Sequence, residues 1–439
     1  MKGAKSVKIT EAYLLLLVML VVVAVSSIFF KNRMTAVTPM IFVATGVTTL
    51  VAGMGLRIRE IVEGPFVYLD TVMWVICGSI FVAQLYFNGT FDYLFQRIIS
   101  KQQSPKMKLL LLVLFIALPG MLTGTAAASI VTTGLLAGRW MLAKGVEKAK
   151  VVELVAVGSF FGMMLPPLCL PAMTATIARQ NGYPGSFEGY FVPMLVLTLP
   201  ALLVYVTVSG KRLVGDLSAD NEASAHVSFS CLVPVLVVAV LLFGHNFLYF
   251  VLPFIGYPVI YTFGFILAIF LGAKKCNVLE SAAQGARMVS PELVLSLAFG
   301  AVTEIYTLVG TAGTIGAHFA ILGINVNIIG VIVAVVTVLS AVYIGESFGY
   351  TFAALGVYIV SAVLYGMPEI VIVGIGTAMA CALFVPLRGG IIKMTADTLQ
   401  VQDIVTFEIQ KKAGVAILVL LLTAIIYIMA GTNLRFLML

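Results

Sequence analysis

Residues 158–178 read GSFFGMMLPPLCLPAMTATIA. The run is apolar and long enough to cross a bilayer as a helix. Yet Pro166, Pro167 and Pro171 stand in its middle. Each proline lacks a backbone N–H and clashes with the carbonyl four residues back, at about 3 kcal/mol in a helix interior. The helix must therefore stop and restart. Inside a membrane, such a stop is tolerated only where protein or a water-filled cavity satisfies the freed backbone groups.

The rest of the chain supplies that membrane setting. Of its 439 residues, 61% are hydrophobic and only 10% are charged, against about a quarter charged in soluble domains. Near-continuous apolar runs with short charged clusters between them define an all-α polytopic membrane protein. The short alternating segments of a β-barrel are absent. The net charge of +7 sits in clusters between spans, where topology signals belong, and does not point to nucleic acid. Cys77, Cys169, Cys231, Cys276 and Cys381 are far apart, without a CxxC, which excludes a disulfide or metal framework of the usual kind. Lys2, Lys5 and Lys8 precede a long apolar stretch that reads as a first span rather than a cleaved signal.

Apolar segments fall near 12–30, 36–55, 66–88, 109–138, 151–178, 190–209, 227–244, 247–272, 291–309, 328–345, 348–365, 369–396 and 413–431. Segment 109–138 is long for one span and short for two, and holds LPGMLTGTAAAS at its centre. Two arms meeting at a tip fit it better, as a re-entrant hairpin. Its flanks are basic on both sides: Arg97, Lys101, Lys106 and Lys108, then Arg139, Lys144, Lys148 and Lys150.

The second half repeats the plan. CGSIFVAQLYFNGTFDYL at 77–94 resembles FGAVTEIYTLVGTAGTIG at 299–316, and GSFFGMMLPPL at 158–168 resembles GTAMACALFVPL at 376–387. The offset is near half the chain throughout, the sign of a two-repeat transporter. The division is repeat one over 1–212, with hairpin 109–138 and broken helix 151–178, and repeat two over 213–439, with hairpin 328–365 and broken helix 369–396. Residues 319–368 contain no Lys or Arg, and Glu346 is their one charged residue before the Glu369 segment. The positive-inside rule then sets the first hairpin inside and the second outside, so the repeats are inverted.

A broken helix exposes carbonyls at one end and N–H groups at the next, with partial charges to match. At mid-membrane these hold a cation and an anionic group without buried side-chain charge. Thr123, Thr125, Ser129, Ser347 and Thr351 add oxygens suited to a hard cation such as Na⁺; for each alone, a bond back to its own helix is the simpler role. Glu346 and Arg388 are the sharpest intramembrane charges. They either pair with each other, or Arg388 faces a substrate carboxylate and Glu346 a cation. Lys393 and Asp397 lie toward the cytoplasmic end. Glu304 sits mid-span, while Asp70 and Glu153 read as solvated span ends. His226, His245 and His318 lie at interfaces.

Paired hairpins, each followed by a proline-broken helix, resemble the ion transporter superfamily. LTGTAAAS at 122–129 followed by GSFFGMMLPPL at 158–168 is similar in order and spacing to the large membrane subunit of tripartite ATP-independent periplasmic (TRAP) transporters. The single proline and arginine of LFVPLRGG, and GESFG at the second tip, depart from that family's pattern. The resemblance implies an elevator-type carrier in the cytoplasmic membrane of a bacterium or archaeon. It implies a Na⁺ site at Thr123, Gly124, Thr125 and Gly162 through Pro167, Pro166 included, and a second at Ser347, Gly349, Thr377 and Pro386. Substrate would lie between them, near Thr125, Pro167, Glu346, Ser347, Arg388 and Gly389. The partners implied are a small organic anion, the lipid bilayer, and either a second copy of the chain or a separate small subunit and binding protein.

The expectation is a secondary active transporter coupled to Na⁺, moving a small organic anion such as a dicarboxylate, with no cofactor. A Na⁺/H⁺-type antiporter using Glu304 and Glu346 is the alternative. A membrane-embedded enzyme would need a nucleophile–base pair or a metal cluster, and the sequence offers no HExxH, paired aspartates or Ser/His pairing near the breaks.

Overall fold

The computed structural model describes residues 12–18, 21, 25, 34–99, 104–171, 174, 187–215, 229–248, 255–344, 366–384, 390–402, 404–431 and 433–437. Among them there is no strand. The helices are α1 (Met34–Val51), α2 (Ile58–Phe87, with a 3₁₀ turn at Gly64–Tyr68), α3 (Thr90–Ile99), α4 (Pro105–Thr123), α5 (Ala126–Ala143), α6 (Lys148–Met164) and α7 (Phe191–Val214). They continue as α8 (Phe229–Phe247), α9 (Tyr257–Leu271), α10 (Val278–Val309), α11 (Thr311–Ile321), α12 (Val326–Ile344), α13 (Glu369–Ala382), α14 (Gly390–Leu399) and α15 (Thr406–Ala430). Among the described helices, α2, α4, α5, α7, α8 and α15 are each long and apolar enough to cross a membrane. The chain is a polytopic helical membrane protein.

Segment 109–138 is a helical hairpin with longer arms than the sequence implied, 105–123 and 126–143. Each arm is about 28 Å at 1.5 Å per residue, enough to cross the hydrocarbon. The extra length comes from the charged flanks, which are helical. Ser104 caps α4 by accepting from the Met107 N–H, and Pro105 occupies the first turn, where its missing donor costs nothing. The arms meet at Gly124, whose φ of 72° is left-handed and open to glycine without penalty. Thr125 then caps α5 by accepting from the Ala128 N–H.

Two hydroxyls join the arms. Ser129 Oγ accepts from the Gly120 N–H at 2.8 Å, and Thr133 Oγ1 donates to the Ile116 carbonyl at 3.0 Å. Both lie beside Pro119, inside α4, and beside a π turn over Ile130–Gly134 in α5.

The prolines of the opening stretch stop α6 at Met164. Leu165 is extended, with φ −81° and ψ 139°, and the Pro166–Pro167 peptide is cis. In the second half α13 ends at Ala382 and α14 starts at Gly390, so the segment read as one broken helix, 369–396, is two helices. Residues 345–365, read from the sequence as the return arm of a second hairpin, lie outside the described residues; within 328–365 the described residues form part of α12. The span read from 291 begins earlier, because Asn277 accepts from the Leu279 and Glu280 N–H groups and starts α10 there.

Element lengths recur along the chain. Helices α4 and α12 are both 19 residues long, and their bounds are 221 positions apart. Helices α6 and α13 also start 221 positions apart, at Lys148 and Glu369. Helices α3 and α11 begin on Thr90 and Thr311, each after a glycine of left-handed φ, 79° at Gly89 and 80° at Gly310.

Packing sorts the helices into two groups. One joins α1, α2, α8, α9 and α10; the other joins α4 to α7 with α12 to α15. Each group draws from both halves of the chain. Between them, α2 meets α4 near the hairpin tip: a methyl on Gly78 would lie 2.9 Å from the Leu122 carbonyl oxygen and 3.4 Å from the Tyr261 ring.

Candidate functional site

The hairpin tip and the two helix breaks come together. α4 packs along α6 at glycine-to-glycine distance: a methyl on Gly120 would lie 2.8 Å from the Gly162 carbonyl carbon, and one on Gly162 would lie 2.7 Å from the Ala117 oxygen. This close approach brings the first break to the tip, where the Leu168 N–H donates to the Met121 carbonyl at 3.1 Å. The second break is held alongside by Phe384, which meets Phe160 edge to face at 5.4 Å. Gly376 of α13 packs on Pro171 and Thr174 beyond the first break.

Between these parts lies a cavity of about 30 Å³, room for a water molecule or a bare ion. Gly124, Thr125, Ala126 and Ala127 of the tip line it, with Met163 and Leu170 on either side of the first break. Leu383, Gly390, Ile391 and Met394 close it from the second. Thus the end of α13 and the starts of α5 and α14 face one small space. Helix starts offer N–H groups with partial positive charge, and helix ends offer carbonyls with partial negative charge. Of the lining side chains, Thr125 alone carries a hydroxyl.

The residues read from sequence fall into three sets. Gly124 and Thr125 line the cavity. Thr123, Gly162, Pro166, Pro167 and Thr377 belong to the elements that build it but are not in its lining. Thr123 Oγ1 donates to the Pro119 carbonyl at 2.9 Å and meets Thr125 Oγ1 at 3.2 Å. Thr377 Oγ1 is buried and donates to the Val373 carbonyl at 2.8 Å, a bond within its own helix. Ser129 serves as the inter-arm hydroxyl described above. Glu346, Ser347, Gly349, Thr351, Pro386, Arg388 and Gly389 lie outside the described residues.

Among the other charges, Asp70, Lys393 and Asp397 are exposed. Glu304 is half-buried in α10, its Cβ 2.9 Å from where a methyl on Gly64 would stand, and it does not line the cavity.

Glu153 corrects the sequence reading. It is 1% exposed and makes a two-pronged ion pair with Arg212 of α7; Arg212 Nη1 donates to Glu153 Oε2 at 2.7 Å, and Nη2 donates to Oε1. A helix buried on every side carries this carboxylate into the protein, so it takes a partner where a span end would have taken water. Leu170 and Met394 were also missed. They are apolar, and nothing in their spacing separates a cavity wall from core.

Comparison with protein-family models and with curated proteins gives no match. Solved structures do match. The YdaH transporter of Alcanivorax borkumensis aligns with a TM-score of 0.58 at 14% identity, over 96% of this chain and 98% of that one. Neisseria gonorrhoeae MtrF, described with a class of antimetabolite efflux pumps, aligns with a TM-score of 0.57 at 12% identity, over 96% and 94%. The chain is similar to both over nearly its whole length and shares their fold.

Proposed function

We propose that this protein is a secondary active transporter, coupled to a cation such as Na⁺, that carries a small organic anion between the hairpin tip and the two helix breaks. The observation that carries the reading is the meeting of Gly124–Thr125, the first break and Gly390–Ile391 around one cavity, whose volume suits the coupling cation, with the anion entering as the parts separate. Backbone ends there supply both signs of partial charge without a buried side-chain charge among the lining residues. The recurrence of element bounds supports two structural repeats, read as inverted from the charge asymmetry of the hairpins. The two packing groups suit an elevator, in which the hairpin-bearing group shifts against the other. Both structural neighbours are transporters by description, so their kinship supports transport at the level of class. The description of MtrF as an efflux pump makes export a direction to test beside uptake.

The test is flux in proteoliposomes. A Na⁺ gradient, imposed in either direction, should drive movement of a labelled organic anion from a panel that includes dicarboxylates. Arg388→Ala should abolish that flux while the protein still purifies as a folded species. No anion flux, with Na⁺-driven proton movement instead, would replace this reading by the antiporter. Wild-type flux in Arg388→Ala would remove Arg388 from the site.

A further inference from the structure

One edge of the hairpin-bearing group carries a pair of cations that the site does not use. The first turn of α4 lies on the last turn of α7: a methyl on Gly210 would stand 3.1 Å from Lys106 Cα and 3.2 Å from its Cγ. The backbone of Lys106 therefore lies against the residue that precedes Lys211, and both lysines are exposed. Neighbouring cations are engaged: Arg212 by Glu153, and Lys150 by Glu147 at 3.8 Å. Lys106 and Lys211 have no ion pair among the described residues.

Along α7, Val196, Leu199, Leu203 and Thr207 are exposed at successive turns of the face that ends in Lys211. A lipid-facing stripe, apolar up to Thr207, that ends near two exposed lysines matches one molecule's chemistry. An acyl chain lies along the stripe, and a phosphate sits between the lysines. We propose that this edge binds an anionic phospholipid in preference to a zwitterionic one. The positive-inside bias accounts for lysines at this level of the membrane, but not for two brought to the same glycine. Each lysine near an anionic surface changes partitioning by about fivefold, so the pair changes it by roughly 25-fold. The proposal does not depend on the transport reading.

The experiment uses the full chain in mixed micelles with equimolar phosphatidylcholine and phosphatidylglycerol, with bound lipid counted by native mass spectrometry. Wild type should retain phosphatidylglycerol preferentially. Lys106→Gln with Lys211→Gln should reduce the preference by about tenfold or more. Lys411→Gln with Lys412→Gln removes the same charge from exposed positions on α15 and should leave it. No preference in wild type, a preference that survives in Lys106→Gln/Lys211→Gln, or equal losses in both pairs would overturn the proposal. Displacement of the lipid by inorganic phosphate would also overturn it, by assigning the lysines to a soluble anion.

Discussion

Glu153 is the residue at which chemistry and position conflict most. It has Val151, Val152, Leu154 and Val155 as neighbours, all buried, and its charge survives there because Arg212 meets both oxygens. Removing one partner of a buried pair leaves an uncompensated charge, at about 3–5 kcal/mol. The Arg212 side chain is 31% exposed, so the lower figure applies. Glu153→Leu should therefore lower the melting temperature in detergent, and Glu153→Leu with Arg212→Leu should recover part of the loss. A double-variant loss equal to the sum of the Glu153→Leu and Arg212→Leu losses would mean that the pair has no net coupling. In the sequence, Glu153 reads as a solvated span end with no partner. The partner was not legible, because it is 59 positions away on a helix whose packing is decided by tertiary contacts. The hydroxyls of Thr123 and Ser129 were readable as a cluster. Thr123 bonds back to Pro119 within its own helix, but the bond of Ser129 to Gly120 depends on how the two arms face each other, which spacing does not fix.

At the scale of elements, the hairpin and both breaks were legible, because proline and glycine act on the local backbone. Their edges were less so. Lys106 and Lys108 read as a loop flank but belong to the first turn of α4, since a Ser104 cap and Pro105 start the helix before them. Polar residues over 278–290 likewise hid the true start of α10 at Asn277. The break itself yields a prediction. Pro166→Ala with Pro167→Ala restores two N–H donors and permits α6 to continue past Met164. Continuation would draw the Leu168 N–H from the Met121 carbonyl and pull the break from the tip. Dependence of flux on the Na⁺ gradient should fall by more than the yield of monodisperse protein. A collapse in yield with coupling intact would make the prolines structural alone.

Across the whole molecule, the order of the helices in the sequence does not give the way the two halves of the chain interleave. Each packing group takes helices from both halves of the chain, and only long-range contacts reveal that division. The groups touch closely where Gly78 of α2 meets the end of α4. If one group moves against the other, this contact must open or slide, and its smoothness depends on the missing side chain. A methyl there would press on the Leu122 backbone oxygen at 2.9 Å, an overpacking of about 1–3 kcal/mol. That strain falls on one arrangement of the groups more than another, so Gly78→Ala should slow flux by about tenfold or more. Gly414 of α15 has open space around its Cα and serves as the control. Gly414→Ala should leave flux unchanged and raise thermal stability slightly, by about 0.5–1 kcal/mol. If Gly78→Ala instead lowers the melting temperature while its rate per folded molecule stays at the wild-type value, the α2–α4 contact is static, and the two groups do not move past each other there.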